Sequence, residues 1–254
     1  MIKFKSLSSG SAGNCYYLGI FSEEGRPEAA VLIDAGVSIK RLRLELKNDG
    51  LTLDNFDAVL VTHDHFDHIR SLGSYCKHLC RPVWATSTLH GALARHMVTS
   101  EQIASCRRIL APDTWTEVVP GRISVRSFVV PHDATQTVGF AIMLDGYRYV
   151  HITDCGRLTP EAMNWLSQAQ TAVLESNYDP YMLSHGHYPP ELQERIRSGN
   201  GHLSENNNTP ELAFEATRAA LDSVEAEHPE YPKCRLQTLP RQSATPLLNL
   251  NPVE

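Results

Sequence analysis

Three imidazoles and two carboxylates fall within six residues at His63-Asp64-His65-Phe66-Asp67-His68, directly after the apolar run Ala58-Val59-Leu60-Val61. Ligands at this density repel one another unless a cation sits among them, so the chain must bring the end of a strand to a metal site. Four of the six, His63, His65, Asp67 and His68, read as His-x-His-x-Asp-His. Asp64 occupies an open position of that pattern and is expected to face solvent or bond the backbone.

Around this cluster, short segments rich in β-branched and aromatic residues recur and predict strands at 2–7, 15–20, 30–34, 58–62, 82–86, 123–130, 138–145, 147–153 and 171–175. Helical patterns predict α-helices over 38–48 closed by Gly50, over 67–78, over 87–96, and over 160–167 after the N-cap Thr159. Asp145-Gly146 between two alternating apolar runs predicts a hairpin, hence antiparallel pairing in part of the sheet. The fold class is therefore α/β (α+β), sheets flanked by helices. A last long helix is expected over 210–226, capped by Thr209 with Pro210 in its first turn. The five prolines after Ala226 predict extended or irregular chain to the C-terminus, with no role assigned to it.

The 254 residues suffice for one large core. The start, Met1-Ile2-Lys3-Phe4-Lys5-Ser6, lacks the apolar stretch of a signal peptide, and no apolar run reaches bilayer-spanning length, so a cytoplasmic protein without a membrane partner is expected. The six cysteines form no secreted framework and are expected to be reduced. A formal net charge of −6 argues against a protein that coats duplex nucleic acid through many phosphate contacts. It leaves a nuclease open, because metal ions can supply positive charge locally.

Further acids and imidazoles lie where strands are predicted to end: Asp34 in Leu32-Ile33-Asp34-Ala35-Gly36, His132 after Ser127–Pro131, Asp154 after Val150–Thr153, and His202 in Gly201-His202-Leu203-Ser204. Each alone is a weak signal, since a lone His at a strand end is more often structural or solvated and an Asp there can simply shape a turn. In the order Asp34, His63-x-His65-x-Asp67-His68, His132, Asp154, His202, they resemble the metallo-β-lactamase superfamily of dinuclear metal hydrolases. Ser8-Ser9-Gly10-Ser11-Ala12-Gly13-Asn14, Glu175-Ser176-Asn177-Tyr178-Asp179 and Ser204-Glu205-Asn206-Asn207 resemble its YycJ (WalJ) branch of nucleases and phosphodiesterases.

That resemblance implies a four-layer αββα sandwich with two divalent ions at one edge of the sheets, spanning 1–226, with 227–254 as a Pro-rich segment packed on the same domain. It places His63, His65 and His132 on one ion and Asp67, His68 and His202 on the other, with Asp154 between them and Asp34 orienting a ligand. The donor set suits zinc first, with manganese or iron as alternatives. A hydroxide shared by two cations is a nucleophile near neutral pH, and Asp67 is placed to aim it as the catalytic carboxylate. The implied function is an exonuclease-like phosphodiesterase acting on nucleic acid. Thioester or lactone hydrolysis and a catalytically weak nucleic-acid-binding protein are the alternatives. Lactam hydrolysis is disfavoured, because family members with that activity typically carry Cys at the position of Asp154.

Ser11, Asn14 and Asn177 are candidate substrate contacts, and the small residues of 8–14 read either as a phosphate cradle or as a plain Gly/Ser turn. His185, Arg195 and Arg197 are weaker candidates, and His187 reads as a loop residue. The chain departs from the family pattern late, where two His motifs are compressed into one and a helix–strand unit is missing. His202 is therefore the second ion's ligand if it occupies the later motif, and a substrate-side residue if the earlier.

Overall fold

The computed structural model describes residues 1–175, 209–230 and 233–251. Six strands come first: β1 (Ile2–Gly10), β2 (Gly13–Phe21), β3 (Pro27–Ile33), β4 (Ala58–Leu60), β5 (Val83–Ala85) and β6 (Arg107–Ile109). Five more follow, β7 (Thr116–Val119), β8 (Ile123–Val130), β9 (Thr137–Leu144), β10 (Tyr147–Ile152) and β11 (Thr171–Leu174), and β12 (Leu248–Asn249) closes the series. One sheet has the order β12-β1-β2-β3-β4-β5-β6, antiparallel as far as β3 and parallel from there to β6. The other has the order β11-β10-β9-β8-β7, parallel only between β10 and β11.

Alternation along the second sheet shows why there are four layers. Ile123, Val125, Val138, Phe140, Ile142, Leu144 and Tyr149 join the residues of the first sheet in the main core, whereas Phe128, Val130, Ala141, Val150 and Ile152 form a separate cluster with Ala162. Both faces are thus buried, one against the partner sheet and one against α6 (Pro160–Leu166). Helices α1 (Ile39–Asn48), α2 (Phe66–Ile69), α3 (Leu72–Leu79), α4 (Ser87–Leu93) and α5 (Ile103–Cys106) lie in the crossovers joining the parallel strands β3 to β6. α7 (Pro210–Glu227) follows later, its first turn capped by Thr209, which accepts from the Leu212 amide. No helix among the described residues is long and apolar enough to cross a membrane.

All nine predicted strands are present, and Asp145 (φ 46°) and Gly146 (φ 85°) make the left-handed pair that a tight β9–β10 hairpin requires. The helix expected over 67–78 is instead two. Ala35 donates its N–H to the His68 carbonyl (2.7 Å) and accepts from the Ser71 N–H (3.0 Å), taking partners that a continuous helix would use internally. Strands β6, β7 and β12 and the four-residue α5 carried no sequence signal, being too short for a periodic pattern. The helix–strand unit thought missing late in the chain falls outside the described residues.

The Pro-rich tail also does more than its composition implies. Beyond the β12–β1 pairing, Thr245 exchanges hydrogen bonds with Ser6, the Ser6 N–H reaching its Oγ1 at 3.0 Å. The buried Lys5 ammonium lies 2.6 Å from Asp49 and 2.8 Å from the Thr245 carbonyl. Thr245→Val keeps the shape and leaves a buried N–H without its acceptor, which costs about 1–3 kcal/mol. The urea midpoint should fall accordingly with an unchanged m-value. A midpoint equal to the parent's would show that the tail contributes nothing there.

Candidate metal centre

Strands β3, β4, β8 and β10, two from each sheet, end at one edge, and Asp34, His63, His65, His132 and Asp154 follow directly. The sheets are tied at this edge by the Val138 N–H, which donates to the Thr62 carbonyl at 3.0 Å. His63 and His65 lie in the loop after β4, while Asp67 and His68 sit in the single turn of α2. Asp34 (φ 61°) and Asp154 (φ 50°) both adopt the left-handed region, strained for a side chain other than Asn or Asp.

Six of the predicted ligands converge. His63, His65 and His132 bring ligand atoms within 4.8 Å of one another, and so do His63, His68 and Asp154. Asp154 Oδ2 lies 2.6 Å from His68 Nε2 and 3.3 Å from His63 Nε2, and Asp67 Oδ2 is 3.6 Å from His68 Nε2. Ring centroids of His63 stand 4.0–5.2 Å from those of His65, His68 and His132. His63 is fully buried, and its Nε2 has no hydrogen-bond partner among the described residues. Such an atom, aimed into a ring of imidazoles and a carboxylate, is what a divalent ion would satisfy, so the donor set fits a metal.

The tautomers follow from the buried Asp34. It accepts from the Thr62 N–H (2.9 Å) and hydroxyl (2.8 Å) and lies 2.7 Å from His68 Nδ1. With its proton given to Asp34, the Thr62 hydroxyl can accept from His63 Nδ1 at 3.0 Å. Both rings are then held with Nε2 facing the cluster, the role outer partners play at metal sites. Thr62 was not among the residues singled out from sequence, and its only signal is adjacency to His63.

Burial, then the charge of His68, holds His63 well below the usual imidazole range. At His68 burial also acts downward, but Asp154 and Asp34 outweigh it and raise it well above that range. A metal at His68 Nε2 must therefore displace a proton. Beneath the cluster, burial and then His68 push His151 down to about 3, so this inward-facing imidazole beside Tyr149 (3.0 Å) stays neutral.

The remaining candidates divide. Asn14 is buried and turned toward the cluster: its Nδ2 lies 3.0 Å from Asp67 Oδ2 and 2.8 Å from His68 Nε2, and its Oδ1 accepts from the Tyr16 hydroxyl at 3.2 Å. Ser11 is exposed in the two-residue turn between β1 and β2, so most of the supposed 8–14 loop is hairpin. Asp64 accepts from the Thr135 N–H at 3.1 Å and from its hydroxyl at 2.5 Å, joining the loops that carry His65 and His132. Glu175 accepts from the Cys155 N–H at 2.9 Å and so braces the turn after Asp154. Asn177, His185, His187, Arg195, Arg197 and His202 lie outside the described residues.

A family model described as a beta-lactamase superfamily domain matches residues 29–199. The chain is 32% identical over 202 residues to exodeoxyribonuclease YycJ of Bacillus anthracis, covering 80% of this chain and 73% of that one. It is 29% identical over 202 residues to exodeoxyribonuclease WalJ of Streptococcus pneumoniae, covering 80% and 72%. Among solved structures, Zn²⁺-bound PqqB from Methylobacterium extorquens superposes with a TM-score of 0.61 at 18% identity, covering 87% of this chain and 95% of that one, a likeness of fold.

Proposed function

The chain belongs to the beta-lactamase superfamily, in the branch of the YycJ and WalJ exodeoxyribonucleases, and from that premise we propose that it is a dinuclear metal-dependent phosphodiesterase that removes nucleotides from nucleic-acid ends. The observation that supports the reading is the pair of candidate ligand groups sharing His63, one with His65 and His132 and the other with His68 and Asp154. His63, His65 and His132 would hold one ion and Asp67 and His68 the other, with Asp154 shared. His202 is the candidate to complete the second set. Bound divalent ions, zinc foremost, supply an acidified water and charge neutralisation at both the attacking and the leaving oxygen of a phosphodiester.

The protein's part is orientation. Asp34 and Thr62 fix the imidazoles, and the Asn14 amide fixes Asp67, whose side chain remains one-quarter exposed and so open to substrate. Asn14 thereby acts as a positioning residue rather than a substrate contact.

A test combines metal counting with a substrate panel of single- and double-stranded DNA, RNA, an aryl phosphodiester, a thioester and a lactam, each with zinc and with manganese. Two ions per chain and cleavage of the phosphodiesters are expected. Asp67→Ala should lower that activity by about 100-fold or more, in the range found for groups that orient or transfer protons in the reacting centre. Hydrolysis limited to the thioester and the lactam would sink the proposal.

A further inference from the structure

The β1–β2 hairpin points its turn, Ser11-Ala12, out of the protein beside the metal centre, and that turn is joined to the centre by a continuous set of contacts. Asn14 Nδ2 donates to the Gly10 carbonyl at 3.2 Å as well as to Asp67. The Gly36 N–H donates to the Asn14 carbonyl at 2.8 Å, and the Gly36 carbonyl in turn accepts from Arg70 Nε at 2.5 Å. Arg70 follows His68 by two residues, is exposed, and has no carboxylate partner among the described residues. Its fork is anchored by Nε, and Nη2 comes up beside the residue that follows the turn: a Cβ placed on Gly13 would lie 3.1 Å from it. Gly13, at φ 142°, is the residue that lets the guanidinium and the Gly36 carbonyl come this close. On the other side, Ser9 donates to the Arg241 carbonyl at 3.1 Å, and the Arg241 side chain lies against Gly10.

The turn itself has donors to offer. The Ser11 and Ala12 amides donate to no acceptor among the described residues, and both residues are exposed. Two successive amides, a serine hydroxyl that can turn its proton outward and an anchored guanidinium make a set of donors for a phosphate group, with no carboxylate among them. Asp67, the carboxylate connected to the hairpin, is engaged by the Asn14 amide. In a chain of net charge −6 this placement of Arg70 runs against the overall balance.

We propose that the Ser11-Ala12 turn and Arg70 form a phosphate subsite adjoining the metal centre, which holds a phosphate of the substrate strand other than the one being cleaved. The identity of its occupant rests on the phosphodiesterase reading above, whereas the donor geometry does not. Arg70 positions the strand by charge and by its planar fork, and the turn amides fix the phosphate oxygens, so the contact is independent of base sequence.

The experiment uses metal-loaded full-length protein and fluorescein-labelled hexathymidylate with phosphorothioate linkages, 5′-phosphorylated or 5′-hydroxyl, followed by anisotropy across a salt series. Arg70→Gln should weaken binding about 10-fold and reduce the log–log salt slope by about one, with metal content unchanged. Ser11→Ala, exposed and structurally mild, should weaken it about 3-fold. Loss confined to the phosphorylated strand identifies a terminal phosphate, and equal loss on both strands an internal one; either supports the subsite. Wild-type affinity and slope in both variants would overturn it. Should the parent bind no oligonucleotide yet bind inorganic phosphate in an Arg70-dependent manner, the phosphodiesterase reading fails while the subsite stands. If Arg70→Gln melts early, Arg70→Lys and Ser11→Ala decide, since Lys keeps the charge and loses the fork.

Discussion

Asp154→Asn is expected to yield a folded protein that retains at most one tightly bound metal per chain and has lost about three decades of hydrolytic activity. Asp154 sits at φ 50°, a conformation Asn adopts nearly as readily as Asp, so this substitution removes charge without adding strain, whereas Asp154→Ala would do both. Among the described residues, Asp154 Oδ2 is the carboxylate oxygen closest to both His68 Nε2 (2.6 Å) and His63 Nε2 (3.3 Å). Neutralising it removes an anionic donor from between two imidazole sets and leaves any ions there to repel each other unshielded. Several kcal/mol of transition-state stabilisation come from correctly held ions, and about 1.4 kcal/mol corresponds to each decade of rate. Metal analysis of dialysed protein and single-turnover cleavage check the two halves separately. Two retained ions with near-parental activity would remove Asp154 from the centre.

Most of this candidate centre was legible in the sequence because its candidate ligands come with their own local grammar. His63 to His68 is dense enough to point to a cation by itself, whereas Asp34, His132 and Asp154, weak signals singly, stand out only through their order along the chain, which resembles that of the superfamily. What the sequence did not reveal has physical reasons. Thr62 has no composition signature, and its importance comes from the distance between β3 and β4, which puts its hydroxyl between Asp34 and His63. Asn14 looked like a residue reaching outward from a loop, yet the hairpin register, with Ser9 opposite Asn14, turns it inward onto Asp67. The break between α2 and α3 could not be read from helical periodicity, which continues through it. It is imposed from outside, by the hydrogen bonds of Ala35. Short strands such as β12 exist only because β1 offers an edge, and pairing of that kind leaves no pattern in three or four residues.

The same turn that divides those helices supports the second large prediction. Gly36→Ala should lower stability by about 4 kcal/mol or more and disorganise the metal centre with it. A Cβ built on Gly36 would lie 1.9 Å from the Asp67 carbonyl oxygen and 2.3 Å from the Asn14 amide nitrogen, both backbone atoms that cannot rotate away. Relief requires moving either α2, which carries Asp67 and His68, or the start of β2, which carries Asn14, and these are the elements that set the Asn14–Asp67 contact. Clashes of this kind belong to the small class of substitutions with effects beyond the usual 1–3 kcal/mol. In a protein of this size each kcal/mol shifts the thermal midpoint by about 2–4 °C, so a fall of about 10 °C or more is expected. Gly91 supplies the control. It lies in α4, where an added Cβ would meet nothing nearer than the far end of Arg95 at 3.7 Å. Gly91→Ala should therefore raise stability by about 0.5–1 kcal/mol through helix propensity alone, with metal content unchanged. If Gly36→Ala instead melted with the parent and kept its metals, the close approach of Gly36, Asn14 and Asp67 would not be what holds the ligands in place. The coupling of hairpin, turn and α2 argued from these contacts would then fail together with it.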